Sequence, residues 1–246
     1  MRRLFLALVF ISTCVSAQDP LSVRLGLTII HGVNDPGDDS APYNRLLSEL
    51  SQLSGVEVSS KYYSSNRVNH YLDTGIIDCI YPISKGAYRH DIDTIYTDNF
   101  NTISSHFFTL SEPLLSSTDA AVGKTIVYIR GYLFANLVFD KTLGISFVPV
   151  ESAETALALL KNKRADGYLE YMPDLRFAIS NTSFAELKTD FTSPIQELED
   201  VMECSNSSKN SRVVDSFNKA ITHLKTSGKL ADILQDYYNL QPISAH

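Results

Sequence analysis

The chain has 246 residues, 44% of them hydrophobic, with 21 Lys and Arg against 28 Asp and Glu for a net charge of −7. That length and apolar content support one large or two small domains with well-formed cores. The acidic balance argues against nucleic acid and other polyanions as partners. Arg2 and Arg3 precede an apolar run from Leu4 to Ile11, and Val15, Ser16 and Ala17 place small residues ahead of a cleavage point before Gln18. Residues 1–17 therefore read as a cleavable export signal, too short to span a bilayer, and the expected location is the periplasm. Removing the signal reduces 21 basic residues to 19 and leaves a net charge of −9.

Ser22 to Ile30 reads as a first strand, opening into the polar loop from His31 to Asp39. Ser40 is expected to cap a helix that carries Pro42 in its first turn and an apolar stripe of Leu46, Leu47, Leu50 and Leu53. Val56 to Tyr62 is predicted as a strand, Asn66 to Leu72 as a helix, Asp73 to Gly75 as a turn, and Ile76 to Ile83 as the next strand. A polar stretch from Ser84 to Asp93 leads to Thr94 to Phe100, and His106 to Leu110 reads as an extended crossing segment.

The second half repeats this grammar. Lys124 to Ile129 is a strand turning through Arg130 and Gly131 into a helix; Phe147 to Val150 is a strand, Ser152 to Lys161 a helix, and Asp166 to Tyr171 a strand. Such alternation describes a parallel sheet covered by helices. A helix over Asp174 to Ile179, a strand over Leu198 to Cys204, a helix over Val213 to Thr226 and another over Lys229 to Tyr238 complete the chain. Two similar α/β halves in an exported protein imply a cleft between lobes.

The histidines stand apart without metal-ligand spacing and there is no Cys-x-x-Cys, so neither a metal nor another cofactor is expected. Cys14 leaves with the signal. Cys79 and Cys204 remain in a compartment where disulfides persist, either bonded or as two buried thiols.

Four segments, in order, resemble the bacterial extracellular solute-binding proteins of the amino-acid-binding type, family 3. Ser65-Asn66-Arg67 with Gly75 and Asp78 is similar to one family segment, although Ser65 stands where an aromatic is common. Gly123 to Gly131 resembles the strand and turn that open the second lobe, and Glu151 to Asp166 resembles the helix, basic turn and aspartate that follow. Phe217 to Tyr238 is similar to the terminal helix-turn-helix.

The resemblance implies an α/β type II periplasmic-binding fold, with lobe 1 formed by 18–106 plus 192–246, lobe 2 by 107–191, and two crossing strands between them. It places the strand of Cys204 beside that of Cys79, which would make them disulfide partners. It implies capture of a small polar, carboxylate-bearing solute by a monomer that serves an ABC-type transporter. By this likeness Arg89 forks onto the ligand carboxylate, assisted by Ser84, as planar guanidinium suits paired charged hydrogen bonds.

Arg130 and Gly131 precede the expected helix, where free amides favour anions, and Tyr132 replaces the family's small hydroxyl residue. Tyr171 occupies the position of the family's ammonium-binding aspartate, with Glu170 one residue away; Glu170 is either a ligand group or a solvent-facing carboxylate. Tyr62, Tyr63 and Tyr81 offer flat faces for lining a cleft or for packing, and Asn34 and Asp35 border the cleft or form an ordinary turn. The alternatives are a dehydratase-like enzyme of the same fold with Glu170 as acid, and a stand-alone sensory binding protein. Against the enzyme stands the lack of a paired nucleophile and base.

Overall fold

A computed structural model describes residues 20–132, 134–172 and 174–235. The segment read as an export signal lies outside them, as does the part beyond residue 235 of the helix predicted over Lys229 to Tyr238. Nine strands form one continuous sheet in the order β2-β1-β3-β9-β5-β8-β6-β7, with β4 added to β9. In chain order they are β1 (Ser22–Thr28), β2 (Glu57–Tyr63), β3 (Cys79–Ser84), β4 (Thr94–Tyr96), β5 (Asn101–Phe108), β6 (Thr125–Ile129), β7 (Ser146–Val150), β8 (Gly167–Met172) and β9 (Gln196–Ser205).

The helices are α1 (Pro42–Ser54), α2 (Ser65–Asp73), α3 (Ala153–Lys161), α4 (Asp174–Ala178), α5 (Asn181–Glu186), α6 (Ser208–Thr226) and α7 (Lys229–Ile233). Among the described residues none is long and apolar enough to cross a membrane.

The first lobe centres on β1, which runs parallel to β2 on one side and β3 on the other. The second centres on β6, parallel to β7 and β8. β5 and β9 join them. The first half of β5 pairs antiparallel with β9, Asn101 opposite Asp200, and its second half pairs with β8, Phe108 opposite Tyr168. Ser104 and Ser105 face β9 and β8 at once, so the sheet changes lobe at these two residues. The largest apolar cluster runs through this junction, from Leu25 and Phe217 past Ile103, Phe107 and Leu169 to Ile126 and Phe134.

Local signals explain most element ends. Pro42 opens α1, where a missing amide costs nothing, and Gly55 closes it in the left-handed region at φ 65°. Ser40 is not the cap: the residue at that position is Ala41, and the Ser40 hydroxyl donates instead to Asp38 Oδ1 at 2.6 Å. Tyr43, Leu46, Leu47 and Leu50 form the buried stripe, whereas Leu53 is exposed. Ser152 and Ser207 cap α3 and α6, their hydroxyls accepting from the amides of Thr155 and Asn210. Cys79 and Cys204 lie opposite each other on β3 and β9 and are joined by a disulfide.

Against expectation, among the described residues no α-helix follows Gly131 directly. The chain forms a 3₁₀ segment over Phe134–Phe139, where Phe134 and Asn136 have positive φ. Bulky residues fill this stretch for packing: the Phe134 ring stacks on Tyr171 at 4.5 Å and meets Tyr132 edge-on.

Candidate functional site

Parallel α/β sheets place ligands outside the carboxyl ends of their strands. Here Thr28 ends β1 and Ile129 ends β6, and the cleft opens between them as two connected chambers that share Ile30, Ser65, Gly131, Tyr132 and Asp174. Lobe 1 supplies Ser65, at the start of α2; lobe 2 supplies Gly131 and Tyr132, just past β6. Gly131 has φ 98°, and a Cβ built on it would lie 3.6 Å from the Ser65 Cβ, which shows how closely the two lobes approach.

The inner chamber, about 90 Å³, is bounded by Pro82, Ile83 and Ser84 at the end of β3, by Val68 and Asn69 of α2, by Ile103 and Asp200 of the crossing strands, and by Tyr132, Tyr171 and Asp174 of the second lobe. Ala87 and Tyr88 complete it. Asp200 is almost fully buried; it accepts from Ser84 Oγ at 3.1 Å and from the Tyr43 hydroxyl. Burial disfavours its charge and pushes its pKa up to about 7, against the opposing effect of these donors. Asn69 donates through Nδ2 to the Ser65 carbonyl at 2.9 Å, leaving its buried Oδ1 without a hydrogen-bond partner.

The outer chamber, about 570 Å³, is walled by His31, Asn66, Arg130, Glu151, Ser152, Glu154, Glu170 and Phe177 among others. Glu170 is buried and accepts from the Tyr168 hydroxyl at 2.5 Å and the Tyr171 amide at 2.8 Å; desolvation nevertheless raises its pKa to about 8. Strand alternation left Glu170 either a ligand group or solvent-facing, but β8 lies between β5 and β6 and is buried on both faces.

Ser84, Gly131, Tyr132 and Tyr171 are thus brought together around the inner chamber, and Arg130 and Glu170 reach the outer one. Arg89 lies elsewhere. It is exposed and lines neither chamber, because the turn after β3 directs Ala87 and Tyr88 inward in its place. Arg130 has its Nε 2.6 Å from Glu151 Oε1, and the described segment that follows it is the 3₁₀ stretch Phe134–Phe139 rather than an α-helix. Tyr63 packs edge-on against Tyr71 at 5.0 Å and lines neither chamber. Tyr81 is fully buried with its hydroxyl donated to the Tyr43 carbonyl, and the Tyr62 hydroxyl donates to Asn44 Oδ1.

Asn34 is buried and ties its loop to Thr28 through Nδ2 at 2.7 Å. The sequence reading missed Asn69, Asp174 and Asp200. The pattern Glu197-Leu198-Glu199-Asp200-Val201 was the available signal: Glu197 and Glu199 mark one face of the strand, and Asp200 falls on the other, with Leu198. Among the described residues no group of three His, Cys, Asp or Glu side chains is arranged to hold a metal.

No family model matches the sequence, and no curated protein matches it. Solved structures do match. The GluR0 ligand-binding core from Nostoc punctiforme, in complex with L-glutamate, aligns with a TM-score of 0.72 at 17% identity, over 88% of this chain and 99% of that one. The amino acid ABC transporter substrate-binding protein AbpA from Streptococcus pneumoniae, bound to L-arginine, gives 0.68 at 17% identity, over 89% and 95%. A histidine kinase sensor domain with similarity to periplasmic binding proteins gives 0.69 at 14% identity, over 88% and 95%. The chain has the type II periplasmic-binding fold. Its two lobes, its crossing strands and the position of its cleft all follow from that architecture.

Proposed function

We propose that this chain is an exported solute-binding protein, related to family 3, that closes its lobes over a small polar solute in the cleft. The observation that carries the reading is the meeting of Ser65 from one lobe with Gly131 and Tyr132 from the other around a shared chamber. The crossing strands β5 and β9 are the natural hinge, since an element spanning both lobes lets them rotate as rigid bodies. In this reading 18–106 plus 192–246 form one lobe and 107–191 the other. Closure would strengthen the few polar contacts that set specificity by removing water from around them.

Transfer of the solute to an ABC-type transporter is supported by the likeness to AbpA, a substrate-binding protein of an amino acid ABC transporter; a periplasmic, monomeric state belongs to the same proposal. A sensory role is the second reading, favoured by the likeness to the histidine kinase sensor domain. The neighbours named above are binding and sensor proteins, which favours these two readings over the dehydratase alternative.

The test is a thermal-shift screen over amino acids, organic amines, small carboxylates and sugars, followed by small-angle scattering with any hit. A raised melting temperature together with a smaller radius of gyration is expected. Silence throughout the panel overturns the binding role.

A further inference from the structure

The charge around the inner chamber is one-sided. Both charged side chains among its described lining residues, Asp174 and Asp200, are acidic. An arginine fork of the kind expected for a ligand carboxylate is not among them. The outer chamber has Arg130, but its Nε is 2.6 Å from Glu151 and its side chain is 56% exposed. A carboxylate reaching the inner chamber would therefore meet like charges in a desolvated space, the arrangement by which recognition surfaces reject wrong partners.

Acceptors are in surplus as well. Asn69 is only 5% exposed, yet its Oδ1 has no hydrogen-bond partner. Leaving such an atom buried and unmatched is unfavourable, a deficit that an N–H donor in the chamber would remove. The rings of Tyr88, Tyr132 and Tyr171 bound the same space, and aromatic faces attract cations and alkyl stems alike. The chamber's volume of about 90 Å³ is well above the ~10–15 Å³ that admits a single water. It suits an ammonium group with a short carbon stem, the remainder of the solute extending into the larger outer chamber.

We infer that the inner chamber takes the ammonium group of a small organic amine bearing no carboxylate, with Asp200 and Asp174 matching its charge and Asn69 Oδ1 accepting one of its hydrogens. The inference rests on the solute-binding reading and names the chemical class of the solute. Asp200, raised to about 7 by burial, is a carboxyl group short of counter-charge, and an entering cation supplies it. The departure from the amino-acid pattern at Tyr171 fits the same picture, since the acidic groups now stand on β9 and at the start of α4.

The experiment uses matched pairs that differ by a single carboxylate: tyramine with tyrosine, agmatine with arginine, and cadaverine with lysine. Each is titrated calorimetrically into the purified protein. At least one amine is expected to bind about tenfold or more tightly than its parent acid, a difference of about 1.4 kcal/mol. Asp174→Asn and Asp200→Asn should each weaken that amine by about tenfold or more, while Arg89→Ala leaves it unchanged. The melting temperature of each unliganded variant shows whether it folds, and Asn69→Leu provides a further uncharged probe of the same chamber.

Preference for the parent amino acids or for simple carboxylates overturns the amine while leaving the solute-binding reading intact. An amine whose affinity neither aspartate variant lowers overturns it equally. Silence toward amines, amino acids, carboxylates and sugars overturns both readings together.

Discussion

Ser84 at the end of β3 donates its hydroxyl to Asp200 on β9 across 3.1 Å, so the wall of the inner chamber is tied directly to a strand that crosses between the lobes. Asp200 also receives the Tyr43 hydroxyl, itself the acceptor of Asn101 Nδ2 at 2.6 Å. A buried carboxyl held this way couples stability to proton uptake.

Burial raises the Asp200 pKa from 3.8 to about 7, so the folded state holds this proton more tightly than the unfolded chain does. The unliganded protein should therefore lose stability from this group as pH rises from about 4 to about 7, by at most about 1.4 kcal/mol for every pH step of one. Chemical denaturation of wild type and Asp200→Asn across that range should show the wild type losing ground relative to the variant. Parallel curves would remove Asp200 as the cause.

Asp78 behaves in the opposite sense. Burial alone would raise it, but the Arg24 side chain and amide and the Lys209 ammonium lower its pKa to about 2. Its contribution should be complete above about pH 4 and disappear as pH falls toward 2. Asp78→Asn should cost about 1–3 kcal/mol at pH 7 through lost charge-assisted hydrogen bonds, with a smaller deficit at pH 2.5, read by urea denaturation.

His90 lies between two carboxylates, its Nδ1 2.8 Å from Asp73 and its Nε2 3.3 Å from Glu203. Burial opposes its charge, yet Glu203 and Asp73 together raise its pKa above 6.5. The stabilisation should be fully present below pH 6.5 and fade as pH rises through the folded value. A two-dimensional NMR titration should place the imidazole transition above that of a model histidine, and His90→Gln should lose more stability at pH 6 than at pH 9.

The Cys79–Cys204 bond joins residues 125 apart in sequence. Its removal in a Cys79→Ser, Cys204→Ser double variant should cost about 2–5 kcal/mol. Mass spectrometry should register a gain of two hydrogens on reduction of the wild type, and free thiols in the purified, unreduced protein would refute the pairing.

Gly131 should tolerate no side chain without loss. A Cβ there meets Ser65 at ordinary contact distance, but φ 98° is strained for other residues by about 1–3 kcal/mol. Gly131→Val adds bulk where the lobes approach. Solute affinity should fall by about tenfold or more and the ligand-induced compaction seen by scattering should shrink, with the unliganded fold retained.

Regular elements were legible because their signals are local. Pro42 with its leucine stripe and the alanine- and leucine-rich run that follows Ser152 each act within a turn or two of themselves. The cleft was only partly legible. Gly131 and Tyr132 could be placed from the strand that delivers them, whereas Arg89 was misplaced because the turn after Ser84 decides which neighbour points inward. Asp200 and Asn69 become site residues only once β9 returns beside β3 and α2 folds over the opening, contacts between segments far apart in the chain that no periodicity encodes.

The disulfide fixes the far end of β9 to β3 and leaves the near end, from Gln196 to Leu198, paired with β5 alone. If the lobes close as proposed, the strand is clamped like a springboard: its bolted end belongs to the first lobe, and its free length carries the second. The swing would then take place beyond the bolt, so the disulfide would stiffen the base of the device without stiffening its stroke.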